Sequence, residues 1–393
     1  MNNPLPPQIP AEEYPQRWHS VQQMMAAQDL DLIIAYADDR AVFGPAHARW
    51  LANFPVHFEP VCVVLARTGG PVLLCGPESD QYALLAGRIS DVYILREFTH
   101  PDEDYPFSHI RSLAEIATAL VSQPSALRRV GLAGGGLMGY DFALALRQAL
   151  PGVAWVDVET AMCTLRSVKS PAEQAVVRYA YAIAEQGINA AIAAIAPGVS
   201  EREVAAEAEA AMRRAGAEGT GIDTIVAAGP NARPILARST FRRIGAADLV
   251  LLTVAPRYEG YHAAIGRPVL VGTPDPAVVQ ALEVAIQAQT ACRDALRPGI
   301  EGRAVEAIGR EIVDAAGLGQ HFLYSGVHSV GVIEFEPPIF GPSSSAMIEE
   351  GMVISVDIPL FNAPWGGLRI EDGYLITASG AQHLHDTPYI IRR

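Results

Sequence analysis

Arg369 and Glu371 stand two residues apart in the segment G-L-R-I-E-D-G-Y-L-I-T (Gly367–Thr377). In an extended strand that spacing puts both side chains on one face. The arginine can then grip a substrate carboxylate bidentately, or it can neutralise Glu371. His262, in the stretch Ala247–Gly272, is open to two readings, a pocket imidazole and a satisfied core histidine. His383 and His385 alternate in the manner of a metal clip, for which a solvated loop is the simpler reading. Tyr258, Phe335 and Trp365 can wall a small ligand, with core packing as the alternative for each. Cys62, Cys75, Cys163 and Cys292 have neither C-x-x-C nor metal-site spacing and read as buried thiols.

The elements that must carry these residues follow from the apolar pattern. Ala247–Gly272 reads as a buried strand (Leu249–Val254), a turn with Pro256 and Gly260, and a second strand reaching Val271. Upstream, a Pro-rich arm over residues 1–12 precedes a helix from Tyr14 to Gln28 and a buried strand, Leu30–Ala35. Strands follow at Val61–Ala66, Pro71–Leu74, Val92–Leu95, Val130–Leu132 and Val153–Val158, with helices over Ile110–Val121 and Tyr140–Leu150. Such alternation predicts an α/β domain over residues 1–165. Ser170-Pro171-Ala172-Glu173 is a capping box with proline at the first helical position, opening a helix that runs to about Ile195 in a second domain, 166–393. Ser200 caps the next helix. The segment I-A-P-G-V-S-E-R-E-V (Ile195–Val204) recurs 101 residues later as L-R-P-G-I-E-G-R-A-V (Leu296–Val305). Two helix-Pro-Gly-helix units, each followed by strands, predict an α+β domain with a pseudo-twofold internal repeat.

With 393 residues, half of them hydrophobic, the chain can bury two cores. Its formal net charge of −14 argues against nucleic acid or an anionic membrane as a partner. The first residues lack a basic region ahead of an apolar core, so a cytoplasmic location is expected.

Several segments resemble the creatinase/prolidase/methionine-aminopeptidase, or pita-bread, family along essentially the whole chain. The hairpin at Ala247–Gly272 resembles that family's G-D-L-V-L-I-D-x-G-A-x-Y-x-G-Y-x-S-D-x-T-R. His47–Phe54 resembles a segment near the start of creatinase-like chains, and Arg166–Glu173 the linker into the second domain. Y-S-G-V-H-S-V-G-V (Tyr324–Val332), M-V-I-S-V-D-I-P (Met352–Pro359) and Gly367–Thr377 resemble three further motifs. By this likeness His328, Asp357 and Glu371 fall at three of five ligand positions for a pair of divalent metal ions. The other two hold aspartates in the family and here are Thr253 and Ala264. Two family histidines are Ile235 and Phe335, although Glu336 follows Phe335 as in the peptidases. Arg267 stands where the family keeps an arginine.

Without its two aspartates the pair of ions loses most of its anionic ligands, so the resemblance turns toward metal-free creatinase and ectoine hydrolase. Neither fits throughout: Arg233, Gly266 and Thr253 stand at positions where one or the other carries a functional group. The expectation is a metal-independent, non-peptidase hydrolase of a C–N bond, amide or amidine, in a small polar metabolite. In it His328 serves as base and Asp357 and Glu371 share a proton, giving one acid and one base. His262, Arg369, Phe335, Tyr258, Trp365 and Glu336 are the expected substrate-binding residues. One alternative is a hydrolase or lyase with a single divalent transition metal on His328, Asp357 and Glu371. Another is an inactive binding member of the family. The resemblance also implies a homodimer.

Overall fold

A computed structural model describes residues 5–40, 42–120 and 127–393. The chain divides into two compact units, Ile9–Leu165 and Arg166–Arg393, the second including the residues up to Gln8.

The first unit is an α/β layer on a seven-stranded sheet. From one edge its strands are Ile110–Arg111, Val92–Leu95, Val72–Cys75, Val61–Ala66, Leu32–Ala37, Arg129–Ala133 and Ala154–Asp157. Val61–Ala66 is antiparallel to both neighbours and the remaining pairs are parallel. Leu32, Ile34 and Tyr36 pack with Val64, Leu74 and Phe142 in its core. The helix expected from Ile110 begins instead at Leu113 and is described to Leu120; Val121 lies outside the described residues. Its start is set by Ser112 and Glu115: each side chain accepts from the other's backbone N–H, which satisfies two donors at the helix end.

In the second unit the capping boxes form as the sequence predicts. Ser170 and Glu173 cap the helix Pro171–Ala194, and Ser200 and Glu203 cap Glu201–Arg214. A second helix pair, Pro276–Ala295 and Gly302–Ala315, repeats the arrangement. The two Pro-Gly breaks match in conformation, with φ of 90° at Gly198 and 82° at Gly299. An L-residue avoids that region, so glycine is required to turn the chain there. They match in packing too, because Ile195, Val204, Leu296 and Val305 are all buried.

These helices accompany a nine-stranded sheet. The order along it is Glu336–Ile339, Val327–Ser329, Val353–Ala363, Gly366–Thr377, Ile265–Leu270, Leu249–Val254 and Ile225–Ala228. Gly380–His383 and Ile391–Arg392 pair off this path. The central hairpin is in register from Leu249 opposite Leu270 to Val254 opposite Ile265, and both strands are wholly buried. Its connection is more elaborate than a turn. Pro256–Tyr258 and Tyr261–His262 form a small three-stranded sheet with Gly219–Thr220. Glu259 and Gly260, with φ of 47° and 78°, make its two-residue turn, the geometry that suits strand twist. Among the described residues no helix is long and apolar enough to cross a membrane.

Candidate active site

Four strands bring the polar residues onto one face of the sheet. Thr253 pairs with Gly266, Gly266 with Glu371, and Glu371 with Asp357. Residues directly opposite in a ladder project to the same side. His328 is opposite Ser355, two residues before Asp357 and so on that face as well. All of them are buried.

Glu371 is held by the Ser355 hydroxyl, which donates to Oε1 at 3.0 Å. His328 Nε2 stands 3.9 Å from the same oxygen. Its Nδ1 lies 2.9 Å from the Ser329 carbonyl, an acceptor, so Nδ1 carries the proton and Nε2 keeps its lone pair. Burial, with a smaller contribution from Arg369, lowers the His328 pKa to about 4, and the ring is neutral near pH 7. Phe335 packs on this ring, with centroids 4.2 Å apart. Glu334 completes the group: donor atoms of His328, Glu334 and Glu371 all lie within 4.8 Å of one another. Burial raises the Glu334 pKa to about 7 and that of Glu371 well above its ordinary value, with Asp357 adding to both.

Asp357 belongs to a neighbouring group. Its Oδ2 accepts from the Tyr324 hydroxyl and lies 3.0 Å from Arg369 Nε. Arg369 also donates to Tyr324 and, at 3.5 Å, to Thr253. Its Nη1 is 4.0 Å from Glu371 Oε2. Burial opposes the charge on Arg369, but Asp357, Tyr324 and Glu371 outweigh it and raise the pKa. The arginine chain crosses over Gly266, where an added Cβ would come within 2.8 Å of its Cγ and Cδ. Asp357 Oδ1 is buried and has no hydrogen-bond partner.

The other expected site residues are dispersed. His262 is fully buried, with Nδ1 3.2 Å from the Gly331 carbonyl and Nε2 without a partner. A Cβ on Gly221 would lie 3.0 Å from His262 Nε2 and 3.1 Å from Glu334 Cβ, so that glycine borders both residues. Tyr258 precedes the small sheet's turn on the face opposite Arg257 and His262, where its ring packs at a tilt against Tyr179 and its hydroxyl donates to the Pro7 carbonyl. Trp365 is at the tip of the hairpin joining the two longest strands, beside His321. Glu336 is saturated by Arg166 at 2.9 Å and Lys169 at 3.4 Å, and Lys169 also donates to Ser329. It anchors the start of this unit to the strand that carries His328.

His383 and His385 are not in a solvated loop. Both approach Asp372 Oδ1, at 3.4 and 2.9 Å, and His385 is buried. Arg267 pairs with the same oxygen. Burial alone would raise the Asp372 pKa, but Arg267 and the imidazoles hold it well below the carboxylate range. The guanidinium already supplies the cation there, which leaves no call for a metal.

Motif comparison singles out neither Glu334 nor Tyr324. Glu334 sits in a bend between two strands, one place before Phe335, where the family has a histidine. The available signal was an extra acid beside a lost donor.

A two-halved helix-and-sheet unit with a histidine and acids along one face, following an α/β unit, is the pita-bread class of fold. Residues 175–378, more than half of the chain, match metallopeptidase family M24, and residues 17–168 match the creatinase/prolidase N-terminal domain. The chain belongs to metallopeptidase family M24. It is 28% identical over 330 residues to the Xaa-Pro dipeptidase of Pyrococcus horikoshii, covering 83% of this chain and 92% of the relative. Identity to the Xaa-Pro dipeptidase of Pyrococcus furiosus is 34% over 252 residues, 64% of this chain and 72% of that one. The prolidase structure from Pyrococcus horikoshii superposes with a TM-score of 0.82, at 24% identity, over 95% of this chain and 99% of the other.

These findings correct the expected function. The family is one of metallopeptidases and the relatives are named dipeptidases, against a metal-independent enzyme that is not a peptidase and against an inactive binding member. The physical reason lies in Glu334. Losing aspartates at Thr253 and Ala264 reads as losing the metal, because the acid that joins His328 and Glu371 lies outside every matched ligand position. Of the residues in the alternative ligand set, Asp357 faces Arg369 and Tyr324, while Glu334 groups with His328 and Glu371.

Proposed function

We propose that this chain is a metal-dependent hydrolase that cleaves the amide bond of dipeptide-sized substrates, as the names of its relatives indicate for them. The observation that carries the reading is the donor group of His328, Glu334 and Glu371, with His328 Nε2 unprotonated and facing the two carboxylates. These residues would hold the ion, and a divalent ion there supplies Lewis acidity toward the scissile carbonyl.

The chain's own residues supply the rest. The backbone carbonyl of Ser329 fixes the His328 tautomer, and Phe335 fixes its ring plane. Asp357 Oδ1, a buried acceptor without a donor, suits the amino group of a short substrate. Arg369 is a fixed cation beside the acids and favours negative charge as it develops on a reacting oxygen. His262, its pKa pushed down to about 3 by burial, keeps a neutral ring whose Nε2 has no partner. Burial of the whole group favours a small substrate over a long chain. A homodimer, which the resemblance implies, and a cytoplasmic location are part of the same proposal, and sedimentation of the purified protein checks the first.

The test is hydrolysis of a panel of Xaa-Pro and other dipeptides by protein stripped of metal and reloaded with manganese, cobalt or zinc. Metal-dependent turnover is expected, reduced at least about 100-fold by His328→Ala, in line with losing a group central to the reaction. Absence of turnover for every dipeptide with every metal would sink the proposal.

A further inference from the structure

The pocket's charges do not match the pair of ions that the family resemblance implies. Of the two positions that would bring aspartates, Thr253 offers a hydroxyl already facing Arg369, and Ala264 offers a methyl. The space beside Thr253, Asp357 and Glu371 holds the Arg369 guanidinium, admitted because Gly266 has no side chain. A second metal ion placed there would meet a fixed positive charge, and Asp357 Oδ2 is already taken. The donors beside His328 are different. Glu334 makes no hydrogen bond or ion pair with another described residue, although it is 5% exposed, and His328 Nε2 is free.

Charge counting leads to the same place. With a bound cation in place of their protons, Glu334, Asp357 and Glu371 bring at most three negative charges against the one positive charge of Arg369, which leaves two. The nearby Arg166 and Lys169 are balanced by Glu336 and Glu173. One divalent ion neutralises the pocket; two would leave it with an excess of two positive charges in buried surroundings, where uncompensated charge is costly.

We propose that this chain holds one divalent metal ion, on His328, Glu334 and Glu371, and that the Arg369 guanidinium stands in for a second. Glu334 is then a ligand peculiar to this arrangement, and Thr253, Ala264 and Gly266 are the small residues that make room for the arginine. The inference rests on the metal-dependent reading above and narrows it.

The test counts ions without assaying turnover. Full-length protein, stripped with a chelator and dialysed against manganese, is analysed by plasma mass spectrometry, and the affinity is read by calorimetric titration. One ion per chain is expected, with Glu334→Gln weakening manganese at least about tenfold and Asp357→Asn weakening it much less. Adding Thr253→Asp and Ala264→Asp together should not admit a second ion until Arg369→Met is also introduced. The wild-type count stands whether or not any variant folds. Two ions per wild-type chain would overturn the inference and leave the hydrolase reading intact. One ion without dipeptide turnover would do the reverse, and no bound ion would remove both. An unchanged affinity in folded Glu334→Gln would also overturn it.

Discussion

His262 illustrates how far a side chain's meaning depends on what surrounds it. Its sequence position left a pocket group and a core histidine equally open, and the structure makes it fully buried, tied by Nδ1 to Gly331 and open at Nε2. Burial lowers its pKa from 6.5 to about 3, with Arg257 contributing. Above pH 6.5 both the folded and unfolded forms are neutral. Below it the unfolded chain takes up a proton that the fold refuses until about pH 3, so this group subtracts about 1.4 kcal/mol of stability per pH unit in that window. Between pH 7 and pH 5 the wild-type protein should therefore lose about 2 kcal/mol more than His262→Gln. Urea unfolding at the two pH values measures it, and identical losses would show that the ring is not held neutral. The same dependence on surroundings explains what was legible at this scale. His328, Asp357 and Glu371 were singled out by the family motifs they fall in, and all three stand on paired strands. Glu334 was not, since a bend and not a ladder delivers it to His328, and spacing arguments do not reach through bends. Arg369 was seen to share a face with Glu371, yet its place over Gly266 depends on a strand more than 100 residues away in the chain.

At the scale of elements the sequence was more explicit, because caps and breaks are local. The two capping boxes and the two Pro-Gly turns come from residues within four positions of each other, and each forms with the expected partners. The halves nevertheless differ at one point. Ser200 caps the second helix of the first half through its side chain, whereas Glu301, its counterpart, makes no side-chain cap and faces Arg303 in an exposed pair. Ser200→Ala should cost about 1 kcal/mol, the usual worth of an N-cap. Glu301→Ala should cost less than about 0.5 kcal/mol, since exposed ion pairs contribute little. Chemical denaturation of the two variants separates the cases, and equal costs would mean that the halves are capped alike. The connection inside the central hairpin was read as a simple turn. It became a three-stranded sheet because Gly219–Thr220, distant in sequence, supplies the third strand, which no local pattern reveals.

Across the whole molecule the α/β unit and the repeated α+β unit were legible from alternating patterns and a 101-residue repeat. Function was harder to read, because absence was more visible than replacement. Two missing aspartates suggested an enzyme without metal, while the family is one of metallopeptidases and Glu334 adds an acid beside His328 and Glu371. A scaffold of two halves fixes where the strands go, and a few side chains on one face then decide how many ions fit. In this chain a guanidinium and three carboxylates divide a place that the resemblance gives to two metals. Diffraction from crystals grown with manganese, collected on either side of its absorption edge, tests that account most directly. It predicts one anomalous peak per chain, about 2.1 Å from His328 Nε2 and from oxygens of Glu334 and Glu371, with Arg369 still against Asp357. A pair of peaks beside Thr253 and Asp357, or no peak at His328, would contradict it.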